Sequence, residues 1–334
     1  MFRNALLGAA LIFFPGGAAG AEDLPVLNVY TYDSFVSEWG PGPRVEQAFE
    51  AQCKCDLQFT ALGDGAALLA RIQLEGERTK ADVVLGLDTN LTARAAETGL
   101  FASHDRVVAG LDLPIEWTDT RFLPFDWGYF AFVYDRTKLS DVPRSFTELA
   151  AMPEDFKIII EDPRSSTPGL GLLMWVKAAY GDRAPEIWAG LAPHILTVTK
   201  GWSEAYGLFL KGEADMVLSY TTSPAYHIIA EQDDSKAAAI FDEGHYLQIE
   251  VAGRLVTSKQ PKLAAEFLDF MLSDAFQSII PTGNWMYPVL TPKSGLPEGF
   301  ENPVPAEKAL LMSPKQAVDM RKDALDEWLH ALSK

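Results

Sequence analysis

Short apolar runs alternate with helical patterns through the first third of the chain. Val26–Thr31 is a run of apolar and β-branched residues, which is typical of a buried strand. The elements predicted after it are a helix over 44–52, a strand over 55–62, a helix over 65–76, a strand over 81–88 and a helix over 89–101. Because strands that alternate with helices run parallel and are covered by those helices, this part predicts an α/β unit.

A second α/β pattern follows a long extended segment. The aromatic run over 120–139 has no helical period, so it suits a crossing between two units. Ser145 and Glu148 predict a capping box, and Thr167 followed by Pro168 predicts an N-cap and a first helical position. The other elements predicted here are a strand over 156–163, a helix ending at Gly181, a strand over 194–200, a helix over 203–211 and a strand over 214–219.

The remaining pattern predicts a return to the first unit. An extended run over 246–256 precedes an amphipathic helical pattern over 261–280 and a last helix over 314–332. We therefore expect a two-lobed α/β fold in which each lobe is a central sheet flanked by helices. The expected division is lobe 1 over 22–124 and about 254–334, and lobe 2 over about 125–253. A cleft between such lobes binds small molecules and closes by a hinge motion.

The N-terminus has the pattern of a secretory signal peptide. Arg3 precedes an apolar run over 5–14, and the tripeptide Ala19–Ala21 fits a cleavage site, so residues 1–21 are predicted to be removed after Ala21. The run is too short to span a bilayer, and no other stretch is long and apolar enough to do so. We therefore expect the mature protein to be soluble and outside the cytoplasm.

The charge of the chain narrows the classes of ligand. Its 334 residues, 48% of them hydrophobic and 22% charged, are enough for two globular domains. The formal net charge is −18, and removal of the signal peptide takes away one basic and no acidic residue. Such an acidic protein repels nucleic acid and anionic membranes, whereas a cationic ligand is compatible with it.

Common motifs of enzymes and metal sites do not occur in the sequence. It has no G-x-S-x-G, Walker A, H-E-x-x-H or EF-hand pattern, and its five histidines are not at metal-ligand spacing. The two cysteines, Cys53 and Cys55, are too few for a structural zinc site, and in an exported protein they can form a local disulfide. The sequence leaves open whether that disulfide forms. It predicts no catalytic residue, metal or cofactor.

Aromatic and polar residues follow the ends of several predicted strands. In open α/β sheets, ligands bind beyond the carboxyl ends of the strands, so these residues are candidates for the walls of a cleft. They are Tyr32, Asp64, Gly65, Ser166, Thr167, Trp202, Tyr220, Thr221, Thr222, Ser223 and Trp285. Aromatic faces beside a carboxylate suit a flat cation, since each cation–π contact is worth about 0.5–2 kcal/mol. The helix start at 166–167 favours an anion or a hydroxyl group.

Several longer segments resemble one known family. They are VYTYDSF, EWGPGP, KADVVLGLD, STPGLGLL, VTKGWSEAYGLFLKGEAD, LSYTTSPAYH and IPTGNWMYPV. In this order and nearly without gaps, they resemble the periplasmic thiamine-binding proteins of bacterial thiamine ABC transporters. The similarity runs from about Leu27 to about Pro292 and continues more weakly beyond. It implies the two-lobed type II periplasmic-binding-protein fold, a periplasmic location, and delivery of thiamine or its phosphates to an ABC import permease.

The resemblance also implies which residues contact the ligand. They are Tyr32, Asp64, Gly65, Ser166, Thr167, Trp202, Tyr220, Thr221, Thr222, Ser223, Tyr226 and Trp285. The two tryptophans, with Tyr220 and Tyr226, are expected at the ring faces of thiamine. Asp64 is expected near its positive charge or amino group, and the 166–167 helix start near its hydroxyethyl tail or phosphate. Gly63 departs from the family, which has an acidic residue at this place.

Two other functions on the same scaffold remain as alternatives. A type I thiaminase cleaves thiamine with a cysteine nucleophile, but both cysteines here lie near the second strand, away from the predicted walls. A ferric-iron binder needs clustered tyrosine oxygens together with a histidine or a carboxylate. Tyr220 and Tyr226 with His227 could form such a group, although the sequence has no adjacent pair of tyrosines. The sequence does not separate thiamine, its monophosphate and its diphosphate as ligands.

Overall fold

A computed structural model describes residues 24–106 and 108–333. The predicted signal peptide over 1–21, with its cleavage site after Ala21, lies outside the described residues. In chain order, the first elements are β1 (Val26–Thr31), α1 (Gly42–Cys53), β2 (Asp56–Ala61), α2 (Gly65–Glu75), β3 (Val83–Asp88) and α3 (Thr92–Glu97). The predicted alternation of strands and helices is therefore confirmed for this part, with a shorter third helix.

The extended run and the second α/β pattern also form as predicted. The elements are β4 (Leu123–Asp135), α4 (Phe146–Ala150), β5 (Ile158–Glu161), α5 (Thr167–Tyr180), α6 (Ala184–Leu191), β6 (Ile195–Thr199), α7 (Trp202–Leu210), β7 (Met216–Tyr220), α8 (Ser223–Tyr226) and β8 (Lys236–Ala238). A π-helical turn over His227–Glu231 follows α8.

The chain then returns along a second long strand. The remaining elements are β9 (His245–Arg254), α9 (Pro261–Met271), α10 (Asp274–Gln277), α11 (Ile280–Gly283), β10 (Tyr287–Pro288), β11 (Ala309–Leu310) and α12 (Pro314–Leu332).

The sheet consists of two halves with the same strand order. One half runs β2-β1-β3-β9-β4, and the other runs β6-β5-β7-β4-β8. In each half three strands are parallel, and the crossing strand beside them is antiparallel. We call the half with β1–β3 lobe 1 and the half with β5–β7 lobe 2. This is the two-lobed α/β architecture that the sequence predicts.

Strand β4 belongs to both lobes. Its residues Leu123–Tyr129 pair with β9, and Phe130–Tyr134 pair with β7. The strand is buried from Leu123 to Val133, which explains why its sequence is apolar and aromatic on both faces. The strand therefore connects the sheets of the two lobes.

Two predicted helix starts differ in detail from the structure. The N-cap of α5 is Ser166 rather than Thr167, because the Ser166 Oγ accepts the N–H of Gly169. The Ser145 Oγ accepts the N–H of Glu148, but the Glu148 carboxylate accepts from the N–H of Arg144 instead of closing a capping box. Both helices still begin with a serine cap.

The predicted helix over 261–280 is divided into α9, α10 and α11. Ser273 starts α10 by accepting the N–H of Phe276, and Pro281 lies in the first turn of α11. A new cap and a proline interrupt the helix while the apolar period continues, since Phe267, Phe276 and Ile280 all remain buried.

The last helix packs on lobe 2. Helix α12 lies against α5 and α6 and also touches α3 of lobe 1. Trp328 is buried in this contact region, and Lys177 of α5 forms a 2.7 Å ion pair with Glu327. The sequence-based division groups this helix with lobe 1, and the lobe boundaries near 125 and 253 stay a prediction.

The two cysteines form a disulfide in the structure. Cys53 at the end of α1 is bonded to Cys55, which precedes β2. The bridge therefore fastens the turn from helix to strand. None of the helices in the described ranges is long and apolar enough to cross a membrane.

Gly86 offers a test of the close packing behind the cleft. It lies in β3 at φ +104°, and a Cβ added there would lie 2.2 Å from the Tyr32 ring. Gly86→Ala is expected to lower the free energy of unfolding by about 2–4 kcal/mol, because it adds overpacking to backbone strain. Urea denaturation without ligand measures this change.

Gly99→Ala is the matched control. Gly99 also has positive φ, at +70°, but no atom lies within 4 Å of the added Cβ. Only the backbone term applies, so a loss of about 1 kcal/mol is expected. Equal losses for the two variants would contradict a packing role for Gly86.

Candidate functional site

A cavity of about 270 Å³ lies between the lobes. Its size is near the lower end of the range for small-molecule sites. Eight of the twelve residues predicted from the sequence line it: Tyr32, Asp64, Thr167, Trp202, Tyr220, Ser223, Tyr226 and Trp285. Most of them come from the ends of strands and the starts of helices, as expected for a ligand cleft in an open α/β sheet, whereas Tyr226 ends α8 and Trp285 follows α11.

Asp64 joins the two lobes at one end of the cavity. It is the N-cap residue of α2 in lobe 1, but its side chain does not cap that helix. Instead, its Oδ2 accepts the Ser166 hydroxyl at 2.9 Å and the Trp202 N–H at 3.2 Å, both from lobe 2. The Gly65 N–H donates to the Thr167 Oγ1 at 3.1 Å. The N-termini of α2, α5 and α7 therefore meet around one carboxylate.

The environment of Asp64 favours its neutral form. Burial raises the pKa of the carboxyl to about 6, although hydrogen bonds from Ser166 and Trp202 act in the opposite direction. The residue still has a partly exposed surface, because it lines the cavity. A positively charged ligand group beside it would favour the ionised form.

Aromatic rings form the walls of the cavity. Trp202 stacks on Tyr206 with ring centroids 5.1 Å apart and 25° between the planes. Trp39 of lobe 1 lies 6.0 Å from Trp202, and Trp285 meets Tyr226 edge-on at 5.2 Å. The lobes therefore contact each other through two aromatic pairs.

Two of these rings are held by specific local structure. The Trp202 Nε1–H donates to the Ser219 Oγ at 2.8 Å, which fixes the plane of the indole. Trp285 has φ +56°, a conformation that is uncommon outside glycine. Such backbone strain is found most often at functional sites.

A second acidic group lies at the lobe 1 end of the cavity. The Tyr32 hydroxyl donates to the Glu250 Oε2 at 2.9 Å, and the Asn284 amide donates to the Tyr32 oxygen at 2.8 Å. The same amide donates to the Asp126 Oδ2 at 2.6 Å. Burial, together with the charge of Asp126, raises the pKa of Glu250 well above its usual range.

The cavity is acidic and aromatic. Asp64 and Glu250 are its carboxyl groups, and no lysine or arginine is among the described residues that line it. The site therefore offers aromatic faces, hydroxyl groups and carboxyl groups, which suits a flat ligand with positive charge.

Four residues predicted at the site do not line the cavity. They are Gly65, Ser166, Thr221 and Thr222. Ser166 is fully buried and donates to Asp64, while Gly65 donates to Thr167, so both lie behind the wall. The Thr221 N–H donates to the Tyr129 carbonyl, and Thr222 is buried against Met286. Gly65, Ser166 and Thr222 thus contact lining residues from behind the wall.

Other lining residues are missing from the sequence-based prediction. They are Ser34, Trp39, Pro168, Ser203, Tyr206, Gly207, Leu210, Glu250, Asn284 and Met286. All of them except Glu250 lie in segments that carry the resemblance. Trp39 lies in the EWGPGP segment that carries the resemblance, and Tyr206 lies one helical turn after Trp202. Glu250 had no such signal, because it lies inside a run that predicts only a crossing strand.

The cysteines and the histidine on which the alternative functions depend do not line the cavity, although Tyr220 and Tyr226 do. Cys53 and Cys55 are disulfide-bonded and are not among the lining residues. The buried His227 bonds Tyr206 at 2.9 Å and Glu231 at 2.7 Å. It forms a group of possible metal ligands with Glu231 and Asp233, outside the cavity.

Comparison with known proteins gives consistent results. Residues 41–278 match the family model "Bacterial extracellular solute-binding protein". The chain is 56% identical over 317 residues to the "Thiamine-binding periplasmic protein" of Salmonella typhimurium, covering 95% of this chain and 96% of that protein. Its identity to the Escherichia coli protein of the same name is 56% over 310 residues, covering 93% and 94%.

Solved structures agree with these relatives. A structure named "Periplasmic thiamin binding protein" has a TM-score of 0.90 and 55% identity, covering 94% of this chain and 98% of that chain. A ferric binding protein from Campylobacter jejuni, at 18% identity and a TM-score of 0.74, shares the fold alone; it covers 91% and 99%. The chain thus belongs to the family of bacterial extracellular solute-binding proteins, with the two-lobed type II fold.

Proposed function

We propose that this protein captures thiamine in the periplasm and delivers it to an ABC import permease. The observation that carries the proposal is 56% identity, over nearly the full chain, to a relative named as a thiamine-binding periplasmic protein. The cavity supports it independently, because aromatic walls and two carboxyl groups without a basic residue suit a cationic, two-ring ligand.

We place the thiazolium ring in the part of the cavity where Trp202 and Asp64 lie. Trp202 offers a π face there, and the Asp64 carboxylate lies next to the N–H of the same residue. A cation in this position faces both a ring and a negative charge, and each attraction grows as water is excluded. The hydroxyethyl tail, or a phosphate ester on it, then points towards Thr167 at the start of α5, where backbone N–H groups favour oxygen.

The proposal is one of transport and not of catalysis. The relatives are named as binding proteins, and the cysteines that a thiaminase-like reaction would use are bonded to each other. Ferric binding is also less well supported. The Tyr220 hydroxyl donates to Gln248, and His227 is bonded to Tyr206 and Glu231, so these groups do not share a centre.

Trp202→Leu tests the cation site. Leucine keeps apolar bulk but removes the π face, so thiamine binding should weaken by at least about 0.5–1 kcal/mol. An analogue without the thiazolium charge should lose less. Titration calorimetry of both ligands measures the difference.

Trp117→Leu is the control for this variant. Trp117 is partly buried outside the cavity and bonds the Phe122 carbonyl. Its replacement should leave thiamine affinity unchanged. An equal loss of both ligands in Trp202→Leu would contradict the cation–π contact, and wild-type protein that fails to bind thiamine would refute the proposed function.

Asp64→Asn separates binding from stability. The amide keeps the shape of the side chain but removes its charge, so thiamine binding should weaken by about 1–3 kcal/mol. The free energy of unfolding without ligand should increase, although the affinity for thiamine decreases. The folded pKa of about 6 lies above the ordinary value of 3.8, so the folded state loses stability as this carboxyl ionises.

The pH dependence fixes the sign of this effect. Near pH 4 the wild type and Asp64→Asn should differ little in their free energies of unfolding. Above pH 6 the variant should be more stable by about 1–2 kcal/mol. This is less than the free energy that corresponds to the whole pKa shift, because the residue is partly exposed. Denaturant unfolding at pH 4, 5.5 and 7.5 measures this difference. A variant that is less stable at pH 7.5 would show that the charged form of Asp64 stabilises the fold.

A further inference from the structure

The lobe 1 end of the cavity is built around two carboxyl groups. Asp126 of β4 and Glu250 of β9 are directly opposite each other in the antiparallel pair. Glu250 lines the cavity and is 5% exposed, while Asp126 lies behind it and is fully buried. The Asn284 amide nitrogen lies 2.6 Å from the Asp126 Oδ2 and 3.2 Å from the Glu250 Oε2, so the two carboxyl groups share one donor. Two carboxylates this close cannot both be ionised without a large cost.

Burial and the closeness of the two groups favour a protonated form of the pair. Burial raises the pKa of both groups, and for Glu250 the nearby charge of Asp126 raises it further. Apart from the contact between the pair, the protein supplies donors from Tyr32 and Asn284. When the shared proton is on Glu250, which lines the cavity, this carboxyl group has both a hydrogen-bond donor and an acceptor.

This arrangement does not serve stability well. Like charges opposite each other on paired strands are destabilising. Replacing a buried ion pair by apolar side chains of similar volume often leaves stability unchanged or increases it. The neighbouring Phe125 and Val251 show that apolar residues pack well here, since both are fully buried. Perturbed carboxyl groups that line a cleft are candidates for a functional role.

We propose that Glu250, supported by Asp126, Tyr32 and Asn284, is the specificity-determining contact for the amino-substituted ring of the ligand. The inference deepens the proposed function and rests on it. An aminopyrimidine has an amino donor next to a ring-nitrogen acceptor on one edge. A carboxyl group that shares one proton has the matching acceptor and donor.

Glu250 and Asp64 thus contact different parts of the ligand. Glu250 belongs to the end formed by lobe 1 and the crossing strands, whereas Asp64 bonds Ser166 and Trp202 of lobe 2. With the amino-substituted ring at Glu250, the thiazolium ring extends towards Trp202 and Asp64. This assigns the two lining carboxyl groups separate roles.

A comparison of thiamine with oxythiamine tests the assignment, because oxythiamine has oxygen in place of the amino group. Calorimetry gives the affinity ratio of the two compounds for each variant. We expect the wild type to prefer thiamine at least tenfold. Glu250→Ala should weaken thiamine binding at least tenfold and reduce the ratio to below threefold. Glu250→Gln keeps an acceptor oxygen and supplies an N–H donor at similar size, so its ratio should stay close to that of the wild type.

Asp64→Asn is the matched control, since it also replaces a cavity carboxyl by an amide. It should weaken both compounds and leave their ratio unchanged. Unfolding without ligand supplies a second readout. A merely structural role predicts that Glu250→Ala loses stability and weakens both compounds equally, whereas the proposed contact changes their affinity ratio whatever the loss of stability.

The outcomes separate the inference from the proposed function. An unchanged ratio in Glu250→Ala, or a wild type without preference between the compounds, overturns the role of Glu250 and leaves thiamine binding in place. If the alanine variant does not fold, a wild-type ratio in Glu250→Met, which keeps the volume of the side chain but removes both polar atoms, overturns the role. A wild type that binds neither compound refutes the proposed function and this inference together.

Discussion

The hydrogen-bond ladder along β4 is the constraint on which the rest of the molecule depends. One strand completes the sheet of lobe 1 with its first half and the sheet of lobe 2 with its second half. Separation of the lobes would leave buried backbone groups unpaired, which is costly. Rotation about the strand keeps those bonds, so the fold permits hinge motion while it holds the two walls of the cleft in register.

The ladder also explains how groups distant in sequence form one cavity. The strands of each lobe point their carboxyl ends at the cleft, and helices begin there. At one end, helix starts from both lobes converge on Asp64. At the other, the crossing strands bring Asp126 and Glu250 together. Aromatic rings and the carboxyl groups of Asp64 and Glu250 therefore line one cavity.

The fold could be predicted largely from local pattern. Val26–Thr31 forms a strand with the predicted bounds, because a β-branched apolar run next to helical periods has few alternatives. The prediction of one continuous helix over 261–280 was wrong, because the apolar spacing persists through the breaks at Ser273 and Pro281 and therefore does not reveal them. Thr167 and Ser166 are both cap-forming residues, and only tertiary structure decides which of them takes the position.

The candidate site was predictable only in part. Residues at strand ends, such as Tyr32 and Trp202, could be found because chain topology places them at the cleft. Glu250 could not, because a glutamate inside an extended run gives no sign of the residue opposite it. The pairing with Asp126 spans 124 positions and exists only in the folded sheet.

The position of α12 has a consequence for the order in which the chain can complete its fold. Lobe 1 needs β9 in the middle of its sheet, and lobe 2 needs α12 to cover α5 and α6. Domains generally fold as units from the N-terminus during synthesis. Here neither lobe is a unit of contiguous sequence, so the emerging chain has no complete domain until its last helix is available. Until then, the faces of α5 and α6 that α12 covers in the folded protein remain exposed, so chaperones can bind them and chains can self-associate through them.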